Sequence, residues 1–229
     1  MKLAVIPARG GSKRIPRKNI KDFCGRPIIA YSIETALESK LFDHVIVSTD
    51  DDEISEIALH YGAEVPFKRP AELSDDFTGT NVIVKHAIEW FGENDAAVTD
   101  ACCIYATAPL LTAEYLHQGY RQLQTGTTVF SFSITSFAFP IQRALRLLDD
   151  NTVEAINPEL ISERSQDLED TWHDAGQFYW GTADAFLSEL PLISSHASGV
   201  VLPRYRVQDI DTEEDWRQAE LMYQALSAS

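Results

Sequence analysis

The apolar positions of this chain fall into short uninterrupted runs that alternate with stretches of helical spacing. LAVIPA, near the start, has no polar interruption, the mark of a strand covered on both faces. PIIAYSIETALES follows, with Ile29, Ile33, Ala36 and Leu37 at helical spacing and Pro27 in the first turn. HVIVSTD reads as a second strand. DDEISEIALHYG reads as a helix: acids complement the dipole of its first turn, Ile54, Ile57, Ala58 and Tyr61 share a face, and Gly62 ends it. EVPF is a short strand, and RPAELSDDFTGT a polar loop longer than a plain connection needs. NVIVKHAIEWFG is a helix with a hydroxyl cap at Thr80. DACCIYA, TAEYLHQGYRQLQTG and TTVFSFSI continue the series as strand, helix and strand.

The rhythm breaks over about residues 136–174. RALRLL and TVEAI, on either side of Asp149, Asp150 and Asn151, predict a hairpin, and the stretch after it is polar and irregular. We read this segment as an insertion that leaves the main sheet, used either for dimerisation, the favoured use, or as an excursion over the active site. The pattern then returns with GQFYW as a strand, TADAFLSEL as a helix, YRVQDI as the last strand and DTEEDWRQAELMYQAL as the last helix. Asp211 stands at the cap of that helix with Glu214 three residues on, a capping-box spacing.

Strand–helix alternation of this kind predicts one α/β domain over residues 1–229, with a mostly parallel twisted sheet and helices on both faces. Ligands of such sheets sit at the carboxyl ends of the strands. That rim gathers ARGGSKRIPRKN (residues 8–19), the STDDD turn and the YATAPL turn.

Charge sharpens the picture at one point. The chain carries 35 acids and 19 bases, a formal net charge of −16, which argues against nucleic acid or an anionic membrane as partner. Yet Arg9, Lys13, Arg14, Arg17 and Lys18 crowd into residues 8–19. The order Gly-Gly-Ser-Lys is not the Walker A order, and no Gly-x-Gly-x-x-Gly occurs. The loop predicts a polyphosphate cradle. Gly10 and Gly11 let the backbone approach an anion and adopt positive φ, and successive N–H groups form an anion nest. Arg9 and Ser12 add directed donors, Lys13 and Lys18 point charges, while Arg14 and Arg17 point outward. Three cysteines, one alone and two adjacent, show no metal or disulfide spacing and suit a reducing cytoplasm. No apolar run is long enough to span a bilayer, and Leu3 to Ile6 is too short for a signal peptide. Cys102 and Cys103 are read as core packing.

QDIDT offers a second site. Asp209 and Asp211 lie two residues apart, so in an extended segment they face the same side and can share a hard cation. For Asp211 helix capping competes with metal binding, and both can hold together. Asp50 to Glu53 are better explained as helix-start acids. His173 with Asp174 looks like the start of a charge relay, but no Gly-x-Ser-x-Gly elbow accompanies it.

IPARGGSKRIPRKN, FCGRPIIAYSIETA, VIVSTDDDEI, RPAELSDD and QDIDTEED, in that order, resemble the CMP-sialic acid synthetase (acylneuraminate cytidylyltransferase) family, with details closest to its pseudaminic acid branch. The resemblance runs over essentially the whole chain. It implies a nucleotide-diphospho-sugar transferase fold, Rossmann-like, with an inserted dimerisation segment and a homodimer. It implies transfer of CMP from CTP to a nonulosonic acid, with Mg²⁺ and release of pyrophosphate. By motif, Arg9, Ser12 and Lys18 would hold the triphosphate, within a nucleotide-binding loop that runs from Ala8 through Gly10, Gly11 and Lys13. Asn19 would meet the cytidine part, and Arg69 and Thr80 would face the nucleotide. Lys18, Arg9 and Asp211 would be the catalytic set, Asp209 and Asp211 the metal pair. The proton acceptor stays open between Asp211 and a hydroxide on the metal. The segments implied to line the sugar pocket give Tyr105, Thr107, Leu111, His173, Asp174 and Gln177 as sugar-side candidates. There the chain departs from the sialic acid pattern: YATAPLL stands where Gln-Pro-Thr-Ser-Pro-Leu-Arg is usual, and His173 to Gly176 where Arg-Pro-Asn-Gly is usual. The less polar Tyr105 and Leu111 suit a deoxy, acylamino sugar such as pseudaminic acid. Activation of Kdo or of a sugar 1-phosphate, a non-catalytic nucleotide-binding regulator, and a nucleic-acid-binding protein are the rival readings.

Overall fold

Four consecutive residues of the first strand, Leu3 to Ile6, are fully buried, and their alternation decides the layering. Leu3 and Val5 point into one apolar cluster, and Ala4 and Ile6 into another on the opposite face. The computed structural model describes residues 1–228. In chain order the elements are β1 (Lys2–Pro7), β2 (Asp22–Phe23), β3 (Arg26–Pro27), α1 (Ile28–Ser39), β4 (His44–Ser48), α2 (Asp52–His60), α3 (Thr80–Asn94), β5 (Asp100–Ile104), α4 (Ala113–Gln124), β6 (Phe130–Ser136), β7 (Leu145–Leu147), β8 (Val153–Ala155), β9 (Trp172–Thr182), α5 (Ala183–Leu187), β10 (Ala197–Val201) and α6 (Glu213–Ser227).

The main sheet has the order β10-β6-β9-β5-β1-β4. It is parallel except for β9, which runs antiparallel to both β5 and β6. Cluster contacts place α1 and α4 on one face and α3 and α5 on the other. Because β9 is reversed, its first residues meet the carboxyl ends of β5 and β6: Ser136 pairs with Trp172, and Ile104 with Phe178. His173 and Asp174 therefore reach the same rim as the loops after β1, β4 and β5.

After β10 the chain runs back along that rim without making another strand. Leu202 N–H donates to the Ile134 carbonyl, Gln177 Nε2 to the Arg206 carbonyl, and Lys18 Nζ to the Ile210 carbonyl. A third, smaller cluster then anchors α6, with Phe23 at its centre in edge contacts with Tyr31, Trp216 and Tyr223.

Several local expectations change. YRVQDI is not a strand: Arg204–Arg206 is a single 3₁₀ turn that follows Pro203, and among the described residues the stretch after it joins no ladder of the sheet. The last strand is instead ASGVV, where Gly199 lies so close to β6 that a Cβ would collide with Ile134. EVPF makes one isolated bridge to β4, from Glu64 to Ile46, and Lys68 just after it makes another to Thr49. Thr80 is the first helical residue of α3 rather than its cap; Gly79 precedes it with no side-chain bond. The capping box of α6 is Thr212 with Asp215, one residue later than Asp211 with Glu214. The excursion between β6 and β9 does leave the main sheet, and β7 and β8 pair only with each other.

Candidate functional site

The cradle is built where β1 ends. Ile15, buried in the α6 cluster, pins the middle of the loop, and Asn19 Nδ2 donates to the Arg9 carbonyl, drawing its two ends together. Gly10 N–H donates to Asp50 Oδ1 at 3.0 Å, and a Cβ at Gly10 would sit 2.5 Å from Asp51 Oδ2. Close approach is therefore what glycine supplies here. Neither Gly10 nor Gly11 adopts positive φ; that conformation falls to Arg17, at +56°. Arg17 is not an idle surface base either. Its guanidinium grips Asp51 through both nitrogens and reaches Glu53. Asp51 is at the same time the side-chain cap of α2. The bond from Arg17 holds the Asp51 carboxyl down at about 2, against an ordinary 3.8.

A cavity of about 270 Å³ opens above this loop. Arg9, Ser12, Lys13, Arg14, Lys18 and Asn19 line it from the loop, Arg69 and Thr80 from the far wall, and Tyr105 and Thr107 from the turn after β5. Ala8 is fully buried beneath it, and Gly10 and Gly11 shape the backbone without lining it. Arg69 is the most informative member. It is 3% exposed, its Nε and Nη2 have no hydrogen-bond partner, and its nearest acid, Asp50, is 3.8 Å away. Burial pulls its pKa down. A buried guanidinium without a partner is costly, and an anion in the cavity relieves that cost.

The acidic pair stands across from the loop. Asp211 Oδ2 lies 2.6 Å from Arg14 Nη1, and its Oδ1 3.4 Å from Lys18 Nζ. Since Thr212 and Asp215 cap α6, Asp211 is free of that task. Asp209 stands at the open mouth of a second cavity of about 430 Å³, which it lines with Asp211, Asp215, His173 and Asp174. Its carboxylate accepts no hydrogen bond among the described residues. The protein on its inner side, and then the neighbouring Asp211, push its carboxyl above the ordinary value. Asp209 and Asp211 would be the residues to hold a hard divalent cation such as Mg²⁺, provided that Asp211 is released by Arg14 and Lys18. Among the described residues no group of three or more His, Cys, Asp or Glu is placed to hold a metal, so phosphate and water would complete the shell.

The sugar-side candidates divide. Tyr105 and Thr107 line the first cavity, and His173 and Asp174 the second. Asp174 is fixed by Gly176 N–H and, at 2.8 Å, by the Tyr179 hydroxyl. Leu111 and Gln177 line neither. Leu111 packs in the apolar core, because the turn after β5 directs it under α1. Gln177 is 3% exposed, holds the Arg206 carbonyl and leaves its Oε1 unpartnered. Both support the rim from beneath rather than face it.

Residues 3–179 match the family model described as "Cytidylyltransferase". The chain belongs to the cytidylyltransferase family. It is 48% identical, over 96% of its own length and 95% of the other's, to a protein of Campylobacter jejuni named pseudaminic acid cytidylyltransferase. It is 31% identical, over 93% and 92%, to the CMP-N,N'-diacetyllegionaminic acid synthase of Legionella pneumophila. Among solved structures, one described as CMP:2-keto-3-deoxy-manno-octonic acid synthetase complexed with CTP shares the fold, with a TM-score of 0.69 at 16% identity, covering 99% of this chain and 98% of that one.

For this cytidylyltransferase the sequence reading missed two features. One is the Asp75–Asp76 contact with Arg9 and Lys13, which joins residues more than sixty positions apart and has no local signature. The other is Tyr179, whose hydroxyl reaches back five positions along β9 to Asp174, across a strand irregularity at Gly176 that no simple alternation announces.

The Arg17–Asp51 pair gives a pH signature. A carboxyl depressed in the folded state contributes stability above its unfolded pKa and loses it as pH falls through the folded one. Asp51→Asn keeps a cap acceptor but loses the charge. It should be less stable than the wild type by about 1 kcal/mol at pH 6, a figure reduced for the solvent that reaches Arg17. Urea midpoints should show this gap closing between about pH 4 and about pH 2; a gap constant with pH would contradict the assignment.

Proposed function

We propose that this cytidylyltransferase transfers CMP from CTP to the anomeric hydroxyl of pseudaminic acid and releases pyrophosphate. What supports the nucleotide half most is Arg69, buried in the same cavity as Arg9, Lys13 and Lys18, with two guanidinium nitrogens free of hydrogen bonds and only a long ion pair to Asp50. What supports the sugar is 48% identity over nearly the full length of both chains to a protein that carries that name.

The triphosphate lies along the cradle. Arg9, Ser12 and Lys13 hold its outer phosphates, Lys18 the region of the scissile bond, and Arg69 the far side. Asn19 and Thr80 face the nucleoside. The sugar acid enters from the side of Tyr105, Thr107, His173 and Asp174. Its hydroxyl oxygen forms a bond to the α-phosphorus as the α–β bridging bond breaks. The hydroxyl proton passes to a basic oxygen at the rim, that of the Asp211 carboxylate or of a hydroxide, and pyrophosphate takes the bridging oxygen. Chemistry of this kind is accelerated chiefly by positioning and by charge neutralisation. Lys18 and Arg9 neutralise the charge that builds on the departing group, and Asp209 with Asp211 would be the residues to hold Mg²⁺. When bound, the cation supplies charge neutralisation and polarises the phosphorus. Free Cys24, Cys102 and Cys103, and the absence among the described residues of any helix long and apolar enough to cross a membrane, are consistent with a cytoplasmic enzyme.

The excursion over residues 137–171 we assign to a homodimer interface. Leu145, Leu147 and Val153 on the hairpin, with Phe139 and Ile156 beside it, are all more than half exposed. An isolated two-stranded hairpin is marginally stable, and a second copy would cover this apolar surface.

Two measurements test these assignments. In an assay of pyrophosphate release with CTP and Mg²⁺, turnover with pseudaminic acid should exceed that with N-acetylneuraminate or Kdo. Lys18→Ala should reduce it by about a hundredfold or more while leaving the circular dichroism spectrum unchanged. Preference for another acid would move the enzyme to a different branch, and near-normal turnover of the variant would remove Lys18 from the reaction. In sedimentation at micromolar concentration the wild type should run as a dimer and Leu147→Asp as a monomer; a monomeric wild type would refute the interface.

A further inference from the structure

Before any ligand arrives, the cradle's charges are already matched from within. Arg14 and Lys18 face Asp211, and Arg17 is taken by Asp51 and Glu53. The remaining two bases, Arg9 and Lys13, share one carboxylate, Asp76 of the loop after Arg69. Arg9 Nη1 stands 2.7 Å from Asp76 Oδ1 and 2.6 Å from the Asp75 carbonyl oxygen, and Lys13 Nζ bonds the other Asp76 oxygen. The loop is organised to make this contact. Asp75 spends its own carboxylate locally, accepting from Phe77 N–H, Thr78 N–H and the Thr78 hydroxyl. Asp76 is the carboxylate that pairs with the bases directly. The next residue, Phe77, is 91% exposed, so its ring does not tie the tip of the loop to the body.

We infer that Asp76 is an internal counter-anion of the cradle, which the outer phosphates of the nucleotide must displace and which re-pairs with Arg9 and Lys13 as pyrophosphate leaves. This presupposes that the triphosphate occupies the cradle as proposed above. A carboxylate that stayed in place would repel phosphate, and one that fixed the loop for structure alone would be a poor device. All three side chains are about a third or more exposed, and ion pairs so placed contribute little to folding. Their effect falls on binding instead. Two cations released from Asp76 compensate part of the affinity for a triphosphate or pyrophosphate, and none of the affinity for a ligand that reaches neither base. Asp76 thereby weakens substrate and leaving group together and keeps the product pyrophosphate from lingering.

Calorimetric titration of the full chain with CTP, CMP and inorganic pyrophosphate, each with Mg²⁺, tests this. Asp76→Asn, and Asp76→Ala as a second variant, should bind CTP and pyrophosphate roughly threefold to tenfold more tightly than the wild type, with CMP affinity unchanged. A loop residue of structural importance only would shift all three ligands alike, and that result overturns the proposal. So does unchanged or weaker CTP binding in both variants. Arg9→Ala separates the two levels. If it weakens CTP while the Asp76 variants gain nothing, Asp76 alone loses its role. If it leaves CTP affinity untouched, the triphosphate is not in the cradle and the parent assignment falls with the proposal.

Discussion

The amine of Lys18 donates to the carbonyl of Ile210, 192 positions along the chain, and stands 3.4 Å from the Asp211 carboxylate. That contact ties the basic loop after the first strand to the acidic segment before the last helix. The proposed chemistry needs both charges within the length of one triphosphate: cations along the phosphates, and carboxylates to hold a cation against them. Everything larger in the fold serves to close that distance. β1 sits near the sheet's edge with its loop at the rim, the chain after β10 doubles back along the same rim, and α6 is locked down by Phe23, Tyr31 and Trp216 so that Ile210 stays put.

Charge pairing runs through the whole rim. In the ligand-free chain each base of the loop has a carboxylate, so a strongly acidic protein can concentrate five bases without leaving them exposed to one another. Arg69 departs from this scheme, being buried and short of partners. The combination describes a site whose outer wall is satisfied until it is exchanged for phosphate and whose inner wall is not. Positive charge is thus pre-placed, and on the proposed reading its partners, rather than the bases themselves, are what a ligand exchanges.

Much of the layering was legible because buried strands and amphipathic helices leave periodic marks. LAVI and CCI are apolar without interruption, and the faces of α1 and α2 repeat at helical spacing. The last strand was not legible: in ASGVV only Val200 is buried, and glycine is there for close approach to Ile134. YRVQDI misled for the opposite reason, since its alternation is that of a segment tied side by side to the rim rather than paired in the sheet. The cap of α6 was off by one because DTEED satisfies the spacing twice, and the choice of Thr212 and Asp215 is what leaves Asp211 available. The cradle's residue types could be read from composition alone. Its pairing with Asp76 could not, nor could the reversal of β9 that brings His173 and Asp174 to the rim, because both are long-range facts. Leu111 and Gln177 were placed by motif at the pocket, and the fold puts both beneath it.

The central claim is that one triphosphate spans the basic loop and the acidic pair. A crystal structure of the protein with a non-hydrolysable CTP analogue and Mg²⁺ tests it most directly. The account predicts the triphosphate along Arg9, Lys13, Lys18 and Arg69, with a cation between its phosphates and Asp209 and Asp211. A triphosphate bound away from the loop, or a cation that leaves both carboxylates untouched, would contradict it.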